Sequence, residues 1–194
     1  MHRAVQLGVA GLLCQCAAAP VVPPPVSTDL VSIDTRQGCT FDIYVDAPSD
    51  VQTYALYGAS APSEMQLPAA YQYPPPFGQT IGAPDSFLVA STPLLGIDSF
   101  LTIGDADARM LSSVGIDFSA WTASSPLTVD DGAVFVLDPD KAPRGRLRLA
   151  RITTPRGGRA AFSLQGQRYS ADSGDRSSTW KHSYSTPLVC TSGH

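Results

Sequence analysis

The apolar residues of this chain recur at every second position, in short runs that each end in Gly, Pro, Asp or Ser. Successive side chains on a strand point to opposite faces, so a period of two marks half-buried strands, whereas a helix face requires a period of 3.6. Val31 and Ile33 share one face of such a run, and Phe41, Ile43 and Val45 share another, with Asp42, Tyr44 and Asp46 opposite. The pattern predicts further strands at 53–57, 87–90, 100–103, 133–137, 145–152, 160–165, 179–184 and 188–190. Many short strands punctuated by turn residues predict an all-β fold, a β-sandwich of jelly-roll or immunoglobulin-like type. Helix content is expected to be small, one turn near 105–113, where Ala106, Ala108, Met110 and Leu111 lack alternation.

Residues 1–18 have the layout of a secretory signal peptide, with a basic Arg3, an apolar run over 4–13, and small residues at Cys16 and Ala18. That run is too short to span a hydrocarbon core, which takes about 20 residues. A lipid-anchor box is not matched, because Leu13 precedes Cys14 and Gln15 precedes Cys16. The expectation is a secreted, extracellular protein without membrane insertion. Cleavage leaves Cys39 and Cys190, an even pair that an oxidising compartment favours as a disulfide joining the N- and C-terminal strands, with two reduced, buried thiols as the alternative. Closing so long a loop restricts the unfolded chain by about 4 to 5 kcal/mol. Residues 19–28, with Pro20, Pro23, Pro24 and Pro25, read as an extended arm or linker, and 29–194 as one domain. Asparagine is absent, which excludes N-glycosylation.

Charge is distributed unevenly. Between positions 58 and 140 the acidic residues face a single cation, Arg109, whereas 141–168 carries eight basic residues and no acidic one. Arg144, Arg146 and Arg148 alternate with Gly145, Leu147 and Leu149, so a strand there lines up three guanidinium groups. Such a row suits a sulfated or carboxylated polysaccharide through paired charge-assisted hydrogen bonds. It equally suits ion pairs with acidic strands of the same domain. Nucleic acid is a poor partner for a chain of net charge −4.

The longest irregular stretch, 59–86, combines six prolines with Tyr71, Tyr73 and Phe77. Long loops in compact domains are often functional, and these aromatic groups, like Trp180 and Tyr184 near the end, are platforms on which a neutral sugar can stack. They serve core packing equally well. His182 alternates with Trp180 and Tyr184 and reads as part of a surface stripe rather than a catalytic base. Residues 170–178 read as a flexible hairpin loop.

Little in the chain supports catalysis. No Gly-x-Ser-x-Gly elbow exists, zinc lacks ligands, and the only glutamate is Glu64. A cofactor is not expected. Calcium is the one metal with candidate ligands, at Asp105 and Asp107, Asp130 and Asp131, and Asp138 and Asp140, although aspartate is also a common turn former.

Tyr54-Ala-Leu-Tyr-Gly58, Pro68-Ala-Ala-Tyr71, Pro76-Phe-Gly78, Asp98-Ser-Phe-Leu-Thr-Ile-Gly104, Gly115-Ile-Asp-Phe118 and Asp131-Gly-Ala-Val-Phe135, ending in Asp138-Pro-Asp140, recur as a set. On these residues the chain resembles one unit of secreted, often tandem proteins of marine algae and some bacteria. The resemblance covers most of 54–165 and implies an extracellular all-β unit, with no activity to transfer. The sequence thus leads to a non-catalytic cell-surface or matrix module that binds glycan or an extracellular protein. The alternatives are a carbohydrate-active enzyme with a carboxylate pair, and a structural subunit assembling by strand addition.

Overall fold

The period-two runs pair into two antiparallel sheets packed face to face, in a computed structural model that describes residues 22–34, 36–104, 108–155, 157–169 and 176–190. Strands β1 (Val26–Asp34), β2 (Gly38–Asp46), β9 (Arg146–Thr154) and β5 (Phe100–Leu101) form the first sheet in the order β1-β2-β9-β5. The second contains β3 (Val51–Gly58), β4 (Met65–Leu67), β6 (Leu111–Val114), β7 (Leu127–Val129), β8 (Gly132–Val136), β10 (Gly158–Tyr169) and β11 (Arg176–Leu188). Its order is β6-β8-β3-β10-β4-β7, with β11 on the other side of β10. β10 is long enough to pair with β3 over its second half and with β4 near its start.

Phe41, Ile43 and Val45 of β2, with Leu147, Leu149 and Ile152 of β9, are buried against Leu56, Val134, Val136, Phe162 and Leu164 of the second sheet. Each such side chain contributes about 1.5 to 3 kcal/mol by leaving water. The Cys39–Cys190 disulfide, with its Cα atoms 5.8 Å apart, ties β2 to the residues after β11 and so joins the two sheets covalently. The same open side is strapped at the N-terminal end. The Tyr184 hydroxyl donates to the Pro24 carbonyl at 2.7 Å and the Asp46 N–H to that of Pro25 at 2.8 Å. β1 therefore begins at Val26, inside the stretch expected to be an arm.

Three expectations about elements change. Residues 87–90 are not a strand but lie in a short helix, α1 (Ser86–Ser91). Asp85 caps it by accepting the Phe87 N–H at 2.7 Å, and the segment buries none of its residues, so nothing holds it to a sheet. Of the range 105–113, where one helical turn is expected, the described part does hold one 3₁₀ turn, Ala108–Met110, but 111–113 belong to β6, where pairing with β8 and burial of Leu111 outweigh the local lack of alternation. The irregular stretch 59–86 contains β4, three residues and thus too short to show a period. Among the described residues no helix is long and apolar enough to cross a membrane.

Candidate functional site

The outer face of the first sheet carries the arginines, and a β-bulge decides which of them act together. The β2–β9 register slips between Ile43 and Tyr44, opposite Ala150 and Arg148, so Leu149 is the extra residue. Both Leu149 and Ala150 are buried, and Arg148 and Arg151, three apart, share the outer face. Asp42, buried between them, accepts two hydrogen bonds from Arg151, Nε to Oδ1 and Nη2 to Oδ2, each 2.7 Å, and one from Arg148 at 3.4 Å. Arg151 also donates to the Gly96 carbonyl at 2.7 Å, and hydrogen bonding to Asp42 holds its guanidinium above the usual arginine range. Arg146 bonds Asp29 and Asp46 at 2.9 and 2.8 Å and lies over the Tyr44 ring at 4.1 Å. Arg148 sits 5.5 Å from the Phe100 ring, and Arg144, two residues before the strand, makes an isolated backbone β-bridge with Gln52. The row is thus a lattice with the acidic face of β1 and β2, and Arg151 belongs to it although simple alternation assigned only Arg144, Arg146 and Arg148.

A second arrangement is built on the proline-rich loop. Asp98, with no exposed surface, accepts the backbone N–H of Tyr73 at 2.7 Å, of Gln79 at 2.9 Å and of Ser99 at 3.0 Å. Burial pushes its carboxyl above the ordinary value, against the lowering effect of those three donors. One side chain therefore gathers both ends of the segment 73–79. Gly78 closes the turn by donating to the Pro74 carbonyl at 3.2 Å, and a Cβ there would run into the Tyr73 carbonyl oxygen. The stretch before it is stitched on both sides, Ala70 N–H to the Thr122 carbonyl at 2.9 Å and Tyr71 N–H to that of Thr153 at 2.7 Å.

Across from this loop stands the turn Phe118–Ala120, capped by Asp117 and followed by Trp121, whose indole N–H donates to the Pro68 carbonyl at 2.9 Å. Between loop and turn lies an open cleft of about 270 Å³ lined by Gln72, Tyr73, Gln79, Phe118 and Trp121, among others. Gln72 Nε2 and Gln79 Oε1, one donor and one acceptor, are buried with no hydrogen-bond partner among the described residues. Segments around Pro68, Gly78, Asp98 and Phe118 meet at this place.

No protein-family model matches the chain, and neither does any curated protein.

The other sequence-nominated residues fall elsewhere. Tyr71 is half-buried and does not line the cleft, and its phenol is raised by burial first and by the nearby Asp98 charge second. Phe77 stands half-exposed at the loop tip. Trp180 is a core residue, His182 is exposed with its ring edge-on to Tyr184 at 4.8 Å, and Tyr184 is the strap, its phenol pushed up to about 12 by burial. Asp130 and Asp131 are exposed at the β7–β8 turn, Asp138 accepts the Asp140 N–H and pairs with Lys141, and Asp105 and Asp107 lie outside the described residues, as do 170–175. Among the described residues no three His, Cys, Asp or Glu side chains come together as a metal site. Glu64 borders a groove on the second sheet with Ser63, Ser163 and Ser183, where Gln66 donates to it at 3.1 Å and the Ser163 and Ser183 hydroxyls bond at 2.8 Å.

The sequence pointed to Tyr73 but not to Gln72, Gln79, Phe118 or Trp121. The glutamines carry neither charge nor motif. Trp121 had a signal in rarity, as one of two tryptophans, and Asp98 had one in being an acidic residue just ahead of an apolar strand.

Proposed function

We propose that this is an exported, non-catalytic module that binds neutral glycan in the cleft between the proline-rich loop and the Phe118–Trp121 turn. The observation that carries the reading is the cleft's chemistry, an open and mostly apolar depression bordered by the rings of Tyr73 and Phe118 and by the side chains of Gln72 and Gln79. Small-molecule sites in general combine an apolar lining with a few placed polar groups. The loop is already held by Asp98 and shortened in its freedom by Pro74, Pro75 and Pro76, so little order remains to be lost on binding.

Two comparisons favour this over the alternatives. A sulfated polysaccharide would have to compete for arginines already engaged with Asp42, Asp29 and Asp46. A hydrolase with a carboxylate pair needs two acidic groups in one depression, and among the described residues the cleft is lined by none and the serine-bordered groove by Glu64 alone. The family resemblance and the signal-like leader support the extracellular setting, and the jelly-roll or immunoglobulin-like description remains the nearest architectural class for the paired sheets. A glycan array of the full chain, repeated with Tyr73→Ala, tests the proposal. Retention of neutral glycans that falls at least tenfold in the variant is expected, and selective retention of sulfated glycans, unchanged in the variant, would overturn it.

A further inference from the structure

We infer that this protein self-associates through the free edge of β1, which pairs antiparallel with β1 of a second copy and continues the first sheet from one molecule into the other. The inference uses none of the residues that line the cleft and stands apart from the glycan reading. Among the edge strands β1 and β11 are long, nine and thirteen residues, whereas β5, β6 and β7 have two, four and three. An edge strand leaves a row of backbone donors and acceptors unpaired, and lysine or proline on it discourages a further strand. β11 carries Lys181 and Pro187. β1 carries neither.

What β1 presents instead is apolar. Leu30, Val31 and Ile33 are 43%, 48% and 53% exposed, and the disulfide brings Val189, 59% exposed, to the same corner, since Ile33 stands opposite Cys39 and Val189 precedes Cys190. Leu30 and Ile33 lie opposite the buried Phe41 and Cys39, so both belong to the inner face of the sheet, at a place the second sheet does not cover. The strand is its own complement. With the bulge at Val31 counted as one position, antiparallel pairing centred on Ser32 sets Leu30 opposite Ile33 of the second copy, and the reverse, so these aliphatic side chains meet on one face. The same register sets Asp29 opposite Asp34 of the second copy, but both carboxylates are already held, Asp29 by Arg146 at 2.9 Å and Asp34 by the N–H groups of Arg36 and Gln37 at 2.7 and 2.8 Å. A foreign peptide would have to be ordered into a strand on binding, whereas a second β1 is already extended and held by β2, which makes a copy of this chain the better occupant.

Sedimentation velocity of the full chain over a concentration series tests this. The weight-average mass should rise toward that of a dimer, and added salt should strengthen the association, because it screens the facing aspartates and not the apolar contact. Ile33→Lys, a change at an exposed position, should raise the dimer dissociation constant by about tenfold or more. Val114→Lys, at the exposed apolar position of edge strand β6, should leave it unchanged. Hydrogen exchange should show the amides of β1 gaining protection as concentration rises, with those of β11 unaffected. A monomer at every concentration would overturn the inference. So would a dimer that survives Ile33→Lys, one that Val114→Lys or salt also dissolves, or one whose concentration-dependent protection falls on β11.

Discussion

The arginine lattice on the first sheet and the cleft beneath the proline-rich loop differ in what their side chains already hold. In the lattice Arg146, Arg148 and Arg151 meet Asp29, Asp42, Asp46 or an aromatic ring. The cleft is lined by no charged side chain among the described residues, and its walls are mostly apolar. The region with the stronger charge signal is therefore the more self-contained. Charge already matched within the fold is a weaker mark of a ligand site than an open, mostly apolar depression.

The sharpest way to break this comparison is to remove the centre of the lattice. Asp42→Ala leaves Arg151 without its bidentate partner in a largely enclosed place, and stripping one member from a buried ion pair destabilises by about 3 to 5 kcal/mol. Urea denaturation should show that loss, with ligand affinity at the cleft retained wherever the variant is folded. A loss below about 1 kcal/mol would mean that the lattice is not what holds the outer face together.

Alkaline titration probes both regions at once. Tyr44 lies in the lattice, Tyr71 beside the Asp98 anchor and Tyr184 in the strap, and burial raises all three phenols, Tyr184 to about 12. A phenol whose folded pKa exceeds its unfolded value contributes stability that is complete below about pH 10 and disappears as pH rises through the folded value. Stability should therefore fall between about pH 10 and 12, with Tyr184 responsible for about 2 kcal/mol. Tyr184→Phe also lacks the hydroxyl that reaches Pro24, so it should be less stable at neutral pH yet lose less on going to pH 12. An unchanged alkaline slope in that variant would remove Tyr184 from the account.

Asp98→Asn tests the cleft's foundation. The amide oxygen can accept from Tyr73 and Ser99, but the new NH₂ then faces the Gln79 N–H, donor against donor. Leaving that N–H unmet costs about 1 to 3 kcal/mol, offset in part because the buried charge is gone. Ligand affinity should drop with stability here, unlike in Asp42→Ala. Full affinity in Asp98→Asn would show that the loop keeps its shape without the anchor.

How much of this was legible beforehand follows the range of the interactions involved. Alternation along β2 and β9 is a local property, so the strand faces, the inward leucines and the outward arginines could be read directly. The disulfide partners followed from there being two cysteines once a leader is set aside. The bulge at Leu149 could not be read, because it arises from register with β2, and it is what brings Arg151 rather than Ala150 opposite Asp42. Residues 87–90 looked like a strand because four apolar residues in a row fit either a buried strand or a helix turn, and only the lack of a pairing edge decides. The cleft was half legible. The prolines and Tyr73 marked one wall, while the other comes from a turn some 40 residues later, held in place by contacts that leave no spacing pattern.

The mildest test lies at the lattice rim. Arg146 is more than half exposed and shares its guanidinium between Asp29, Asp46 and the face of Tyr44. Exposed pairs are weak and screened by salt, so Arg146→Ala should leave the urea midpoint nearly unchanged, the more so as salt is raised. Its effect on ligands separates the two regions more cleanly than its effect on stability. If the row is internal structure, retention on a sulfated-polysaccharide column should be weak and nearly the same with and without Arg146, because a sulfate gains at Arg146 only what Asp29 and Asp46 give up. Strong, salt-sensitive retention that falls in the variant would mean that these pairs open for an external anion, and the lattice would then be a binding surface after all.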